Sequence, residues 1–154
     1  VGSLSLSFTT KNFDNMNTKR AIVSGVITWI LGVIVYSAPY FLPFVEHSER
    51  YLNVVFPLAI IPAVIIGAYS YYRARYGSTG YKTNGFKLGA IMVLVAIVLD
   101  ALITVPLFII PEGGNHFSFF TDPGFWLIAA EFVVVTAIYW RWRVLPNRTE
   151  SQPA

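Results

Sequence analysis

The sequence predicts an all-α integral membrane protein, an up-down-up-down bundle of four transmembrane helices with N and C termini both cytoplasmic. Three observations carry this. Of 154 residues, 55% are hydrophobic and only 12% charged, which is more apolar surface than a soluble domain of this size can hide. Four stretches of roughly 20 or more residues are almost wholly apolar, each long enough at about 1.5 Å per residue to cross a hydrocarbon core of about 30 Å. Lysine and arginine, finally, gather in alternate connections between those stretches.

Residues 1–15 are polar and rich in Ser, Thr and Asn, and they precede Met16, Asn17, Thr18, Lys19 and Arg20. Met16 looks like the natural start, so 1–15 are expected to be a flexible or non-native extension, the alternative being a short cytoplasmic tail. Residues 16–145 form the transmembrane domain and 146–154 a flexible cytoplasmic tail. Span one is expected over about 21–45; its apolar run is longer than the core of a signal peptide, and no small-x-small cleavage site ends it. Span two, about 53–72, is closed by Arg73 and Arg75. Span three, about 86–110, is closed by Pro111, Gly113 and Gly114. Span four, about 123–140, is opened by Asp122-Pro123 and ended by Arg141 and Arg143.

Orientation follows from the basic residues. Lys19 and Arg20, then Arg73, Arg75, Lys82 and Lys87, then Arg141, Arg143 and Arg148 all fall on one side. The opposite connections hold Arg50 with Glu46, Glu49, Glu112 and Asp122. The positive-inside rule therefore places the termini and the loop of residues 73–85 in the cytoplasm, and the protein in the cytoplasmic (cell) membrane as a multi-pass chain. Tyr40, Phe41, Tyr71, Tyr72, Trp126, Tyr139, Trp140 and Trp142 suit interfacial belts.

Composition also excludes. With no cysteine, disulfide frameworks, thiolate metal sites and iron-sulfur clusters are removed. The net charge of +3 serves topology and anionic lipid, so nucleic acid is not an expected partner; the lipid bilayer is, with a homo-oligomer or a larger membrane partner beside it. Glu46, His47 and Glu49 in the first loop and Glu112, His116 and Asp122 in the second are carboxylates and imidazoles without a ligand spacing, so no metal is assigned. No Ser, His and Asp set shares a depth, and residues 77–80 form an ordinary turn rather than a phosphate loop. Neither an enzyme nor a cofactor is indicated.

Chemistry concentrates on two acids inside the spans, Asp100 and Glu131. Charging either in hydrocarbon costs at least about 2.5–3.5 kcal/mol, so such groups face the bundle interior, find partners or stay protonated. Counted from their helix ends, both lie roughly 12–15 Å below the outer surface. Tyr36 and Ser37 reach that level from span one, and Thr104 lies one turn from Asp100. Pro39, Pro62 and Pro106 are expected to free the carbonyls of Val35, Leu58 and Leu102. One reading is a proton or cation site in which the acids share a proton; the other is hydrogen-bonded glue between helices, worth about 0.5–2 kcal/mol each. Ala59, Ala63 and Gly67 form a smooth stripe on span two, for packing within the chain or for an oligomer seam.

The run Leu99-Asp100-Ala101-Leu102-Ile103-Thr104-Val105-Pro106-Leu107-Phe108, with Gly25 to Trp29 and Phe56-Pro57, resembles a small bacterial family of four-helix membrane proteins known only as a domain of unknown function. The resemblance loosely covers residues 20–140. It departs from the family pattern at Asp122-Pro123-Gly124-Phe125-Trp126, and it implies a bacterial cytoplasmic membrane location without supplying an activity. The expected function is handling of a proton, cation or small solute at the level of Asp100 and Glu131. The alternative is a non-catalytic scaffold or accessory subunit whose acids are structural.

Overall fold

The computed structural model describes residues 16–42, 50–73 and 83–146. Among these the chain is helical apart from caps and turns, with no strand. Four helices are long and apolar enough to cross a membrane: α1 (Thr18–Phe41), α2 (Tyr51–Tyr72), α3 (Gly85–Ile109) and α5 (Pro123–Val144). A short helix, α4 (His116–Thr121), joins the last two. The chain is a multi-pass, all-α four-helix bundle. Residues 1–15, Glu46, His47, Glu49, Arg75, the turn of residues 77–80, Lys82 and Arg148 lie outside the described residues.

α1, α3 and α5 each start where a polar side chain caps them, whereas α2 starts without a side-chain cap. Asn17 Oδ1 accepts from Arg20 N at 3.2 Å, Asn84 Oδ1 from Phe86 N at 2.9 Å and Asp122 Oδ2 from Phe125 N at 3.2 Å, the last with Pro123 leading the helix. α1 stops at Phe41, short of the expected end near 45. Leu42 is extended (φ −109°, ψ 108°) because it precedes Pro43, whose ring disfavours helical geometry in the residue before it.

Winding is the main departure from expectation. α2 opens with a π turn over Tyr51–Val55, α3 changes to π-helix from Asp100 to Ile109, and α5 ends in a π turn over Trp140–Val144. That last turn carries Arg141 and Arg143 within the helix rather than after it. In the wider register each N–H reaches five residues back, as Ile110 N does to Val105 O at 2.9 Å. Pro106 therefore leaves Ala101 O without a backbone donor, not the expected Leu102 O. His116 Nε2 fills that position, 2.9 Å from Ala101 O. The carbonyl expected to be freed by Pro39 behaves as predicted, since Tyr51 Oη donates to Val35 O.

α1 and α5 each pack against both α2 and α3, so α1 faces α5, and α2 faces α3, across the diagonals. One end of the bundle carries Lys19, Arg20, Arg73, Lys87, Arg141 and Arg143, and the other Arg50, Glu112 and Asp122. The half nearer the basic end is closely packed around Met92. Ser24 Oγ donates to Gly67 O, and Thr28, Thr136 and Leu88 are fully buried there. Hydroxyls at Thr28 and Thr136 are satisfied by their own helices, through Ser24 O at 3.0 Å and Phe132 O at 2.6 Å. Small residues allow the approach: a Cβ on Gly89 would sit 2.7 Å from Val133 Cα, and one on Gly67 would collide with the Thr28 hydroxyl.

Outward faces are apolar. Leu58, Leu94, Leu102, Leu107 and Leu127 are each at least 60% exposed in the isolated bundle, which suits acyl chains as their cover. At the acidic end, Tyr40 Oη donates to Glu112 Oε1 at 2.8 Å and ties the end of α1 to the turn after α3.

Candidate functional site

Where the basic half is held together by small residues, the acidic half is held apart by rings. The Tyr36 ring meets Phe56 edge-on at 5.8 Å and Phe108 at 6.4 Å, joining α1, α2 and α3 through aromatic bulk. The π winding of α3 begins at Asp100, about two turns further into the bundle, and runs past Phe108. Between the separated helices lies a cavity of about 510 Å³.

Asp100 stands on its wall, about one to two turns beyond Ala96 and Val93, which line its inner end. Its Oδ1 accepts from Trp29 Nε1 at 2.8 Å across to α1 and from Thr104 Oγ1 at 2.6 Å along α3. Both donors use one oxygen. Oδ2 takes neither bond and is not among the sealed, unpartnered polar atoms, and the Asp100 side chain lines the cavity. From Val93 and Ala96 the cavity runs outward past Asp100 to Asn53, Ser118 and Asp122 at the acidic end, between mostly apolar and aromatic walls.

α4 supplies part of the outer wall. Gly113, in the left-handed region at φ +87°, turns the chain back after α3, and Asn115 with Ser118 forms a reciprocal capping box. Phe119 packs on Phe120 and Phe125 with centroids 5.1 and 5.2 Å away, and Trp126 Nε1 donates to Phe120 O at 2.9 Å. Together with the His116 contact to Ala101 O, these hold the short helix against α3 and α5.

Of the residues singled out in the sequence, Asp100, Thr104 and Tyr36 line this cavity. Ser37 does not; its hydroxyl donates to Val33 O on its own helix. Glu131 is also absent from the lining. α3 packs on the α5 face that carries Val133 and Ala137, and Glu131, two residues before Val133, lies about 200° round the helix. Its carboxyl makes no hydrogen bond to Asp100, and Glu131 Oε2 is buried without a partner. The two acids do not form one site: with Gly89 against Val133, Glu131 falls opposite about residue 91 of α3, well short of Asp100, because equal distance from a helix end fixes neither register nor azimuth.

The stripe on α2 packs within the chain. Ala63 and Gly67 are buried against the bundle, with Gly67 beside Ser24 and Thr28 of α1, while Ala59 is half-buried. Among the described residues, no group of three His, Asp or Glu side chains is placed to hold a metal ion. Trp29 is the site residue that reasoning from sequence passed over. An indole N–H in the middle of an apolar span needs an acceptor, and that requirement was the available signal.

Helix number, length and apolarity define the class: a small multi-pass membrane protein of four helices, with an interior carboxyl on a cavity open at one end. Over residues 44–142 the chain matches a family of unknown function, DUF5367, and it belongs to that family. The match covers α2 to α4 and nearly all of α5, and leaves Trp29 and the rest of α1 outside it. No curated protein and no solved structure matches the chain.

Proposed function

We propose that this chain is a non-enzymatic protein of the cell membrane, with cytoplasmic termini, that binds a proton, cation or small solute at Asp100 in a cavity facing the outer side. The observation that carries the reading is the division of labour on one carboxyl. Trp29 and Thr104 fix Oδ1, which leaves Oδ2 free on a side chain that lines about 510 Å³ of space. A carboxyl kept only as glue gains most by engaging both oxygens, since an unmet polar group in hydrocarbon is costly. One held by a single oxygen is oriented for exchange at the other. The volume falls within the range of about 300–1,000 Å³ that small-molecule sites occupy.

A scaffold or accessory role has its own support, since the Trp29–Asp100 bond ties α1 to α3.

Carboxyl infrared difference spectra in lipid, taken across pH and with added solutes, separate the two. Exchange at Asp100 predicts a carboxyl band that titrates or shifts on solute addition and is lost in Asp100→Asn. Bands that stay constant under every condition would assign the acid to structure alone.

A further inference from the structure

We infer that the cavity's occupant is an organic cation with an apolar or aromatic body, its positive centre beside Asp100 Oδ2 and its body against the rings of α1, α2 and α3. This rests on the reading of Asp100 as a binding group and adds the chemical class of what it binds.

Charge is the first argument. Asp100 lines the cavity wall and Asp122 its mouth, and among the described residues no lysine, arginine or histidine lines it. In surroundings of low dielectric, two acids without a base repel anions and attract cations. The second argument is the wall. Trp29, Tyr36, Phe56, Phe108, Phe119 and Phe125 present aromatic surface to the space, and aromatic faces attract cations while their area favours apolar groups.

A bare metal ion does not suit these walls. Calcium takes about six to eight oxygen ligands and magnesium near-octahedral oxygen, whereas the described residues offer no group of three acidic or imidazole ligands. A single carboxyl among rings suits a diffuse, weakly hydrated cation. Size is the fourth. About 510 Å³ is far more than a proton or a dehydrated alkali ion fills, and it matches a drug-sized molecule.

Two ions of the same shape and opposite charge supply the test: tetraphenylphosphonium and tetraphenylborate, titrated calorimetrically into the full chain in nanodiscs, with empty nanodiscs as the partition control. Saturable binding of the phosphonium is expected at least about tenfold tighter than that of the borate. Asp100→Asn, which retains an oxygen for Trp29 and Thr104, is expected to weaken phosphonium binding about tenfold or more. Phe108→Leu, which keeps Asp100 intact, is expected to weaken it several-fold. Equal or tighter borate binding, or an Asp100→Asn protein that binds the phosphonium as wild type does, would overturn the inference by showing a cavity indifferent to charge. Sodium or potassium shifting the Asp100 infrared band while the phosphonium fails to bind would overturn the inference and leave the Asp100 reading standing. No binding of any probe together with a silent Asp100 band would overturn both.

Discussion

Trp29 and Asp100 form the most consequential pair of single residues in the molecule, because each satisfies in the other a polar group that hydrocarbon cannot. Trp29→Phe keeps the ring and removes the N–H, leaving Oδ1 with Thr104 alone. The expected loss is about 0.5–2 kcal/mol, read as reduced resistance to unfolding in detergent. Gly67→Val is expected to cost more, about 1–3 kcal/mol, since even its Cβ would overlap the Thr28 hydroxyl and crowd Met92. The same melting assay ranks the two. At this scale the sequence disclosed the acids, because carboxyls in apolar runs are conspicuous, and it disclosed Thr104 through helical spacing. It did not disclose which side of its helix Glu131 occupies. Nothing in a uniformly apolar span marks the face that meets protein rather than lipid.

Among the elements, α3 concentrates the structure's departures from regularity. Its winding loosens at Asp100, its Pro106 leaves Ala101 O to His116, and both changes fall beside the cavity. Restoring a backbone donor with Pro106→Ala is expected to favour regular α winding past residue 100, raising thermal stability while weakening solute binding several-fold. Parallel melting and binding titrations check this, and a variant that gains stability with binding unchanged would separate the π winding from the site. α4 was invisible as an element in the sequence because six residues are too few for a periodic pattern. The long helices were legible at once, their ends within a few residues except where Pro43 stopped α1 early and the π turn prolonged α5. Length and apolarity suffice to find a span, but i+4 and i+5 hydrogen bonding leave the same composition behind.

For the whole molecule, the bundle divides into a basic half packed through glycine and hydroxyl contacts and an acidic half opened by rings and prolines. The first gives rigidity and the second gives volume, and the Asp100 level lies where they meet. Orientation in the bilayer rests on the segregation of lysine and arginine, and the absence of cysteine makes it simple to test. A cysteine at Phe117 is expected to react with an impermeant maleimide applied to intact cells, and one at Thr18 only after permeabilisation. The reverse pattern would invert the molecule and turn the cavity to the cytoplasm.

The most direct test of the central claim, that Asp100 presents a free carboxyl oxygen to a cavity reached from the acidic end, is modification by a hydrophilic, cationic carbodiimide with the sites read by peptide mass mapping. An adduct is expected at Asp100 as well as at exposed Asp122, with the Asp100 adduct suppressed when tetraphenylphosphonium is present. Modification of Asp122 with Asp100 left untouched would contradict it, and Asp100 would then be a sealed structural acid rather than the anchor of a binding site.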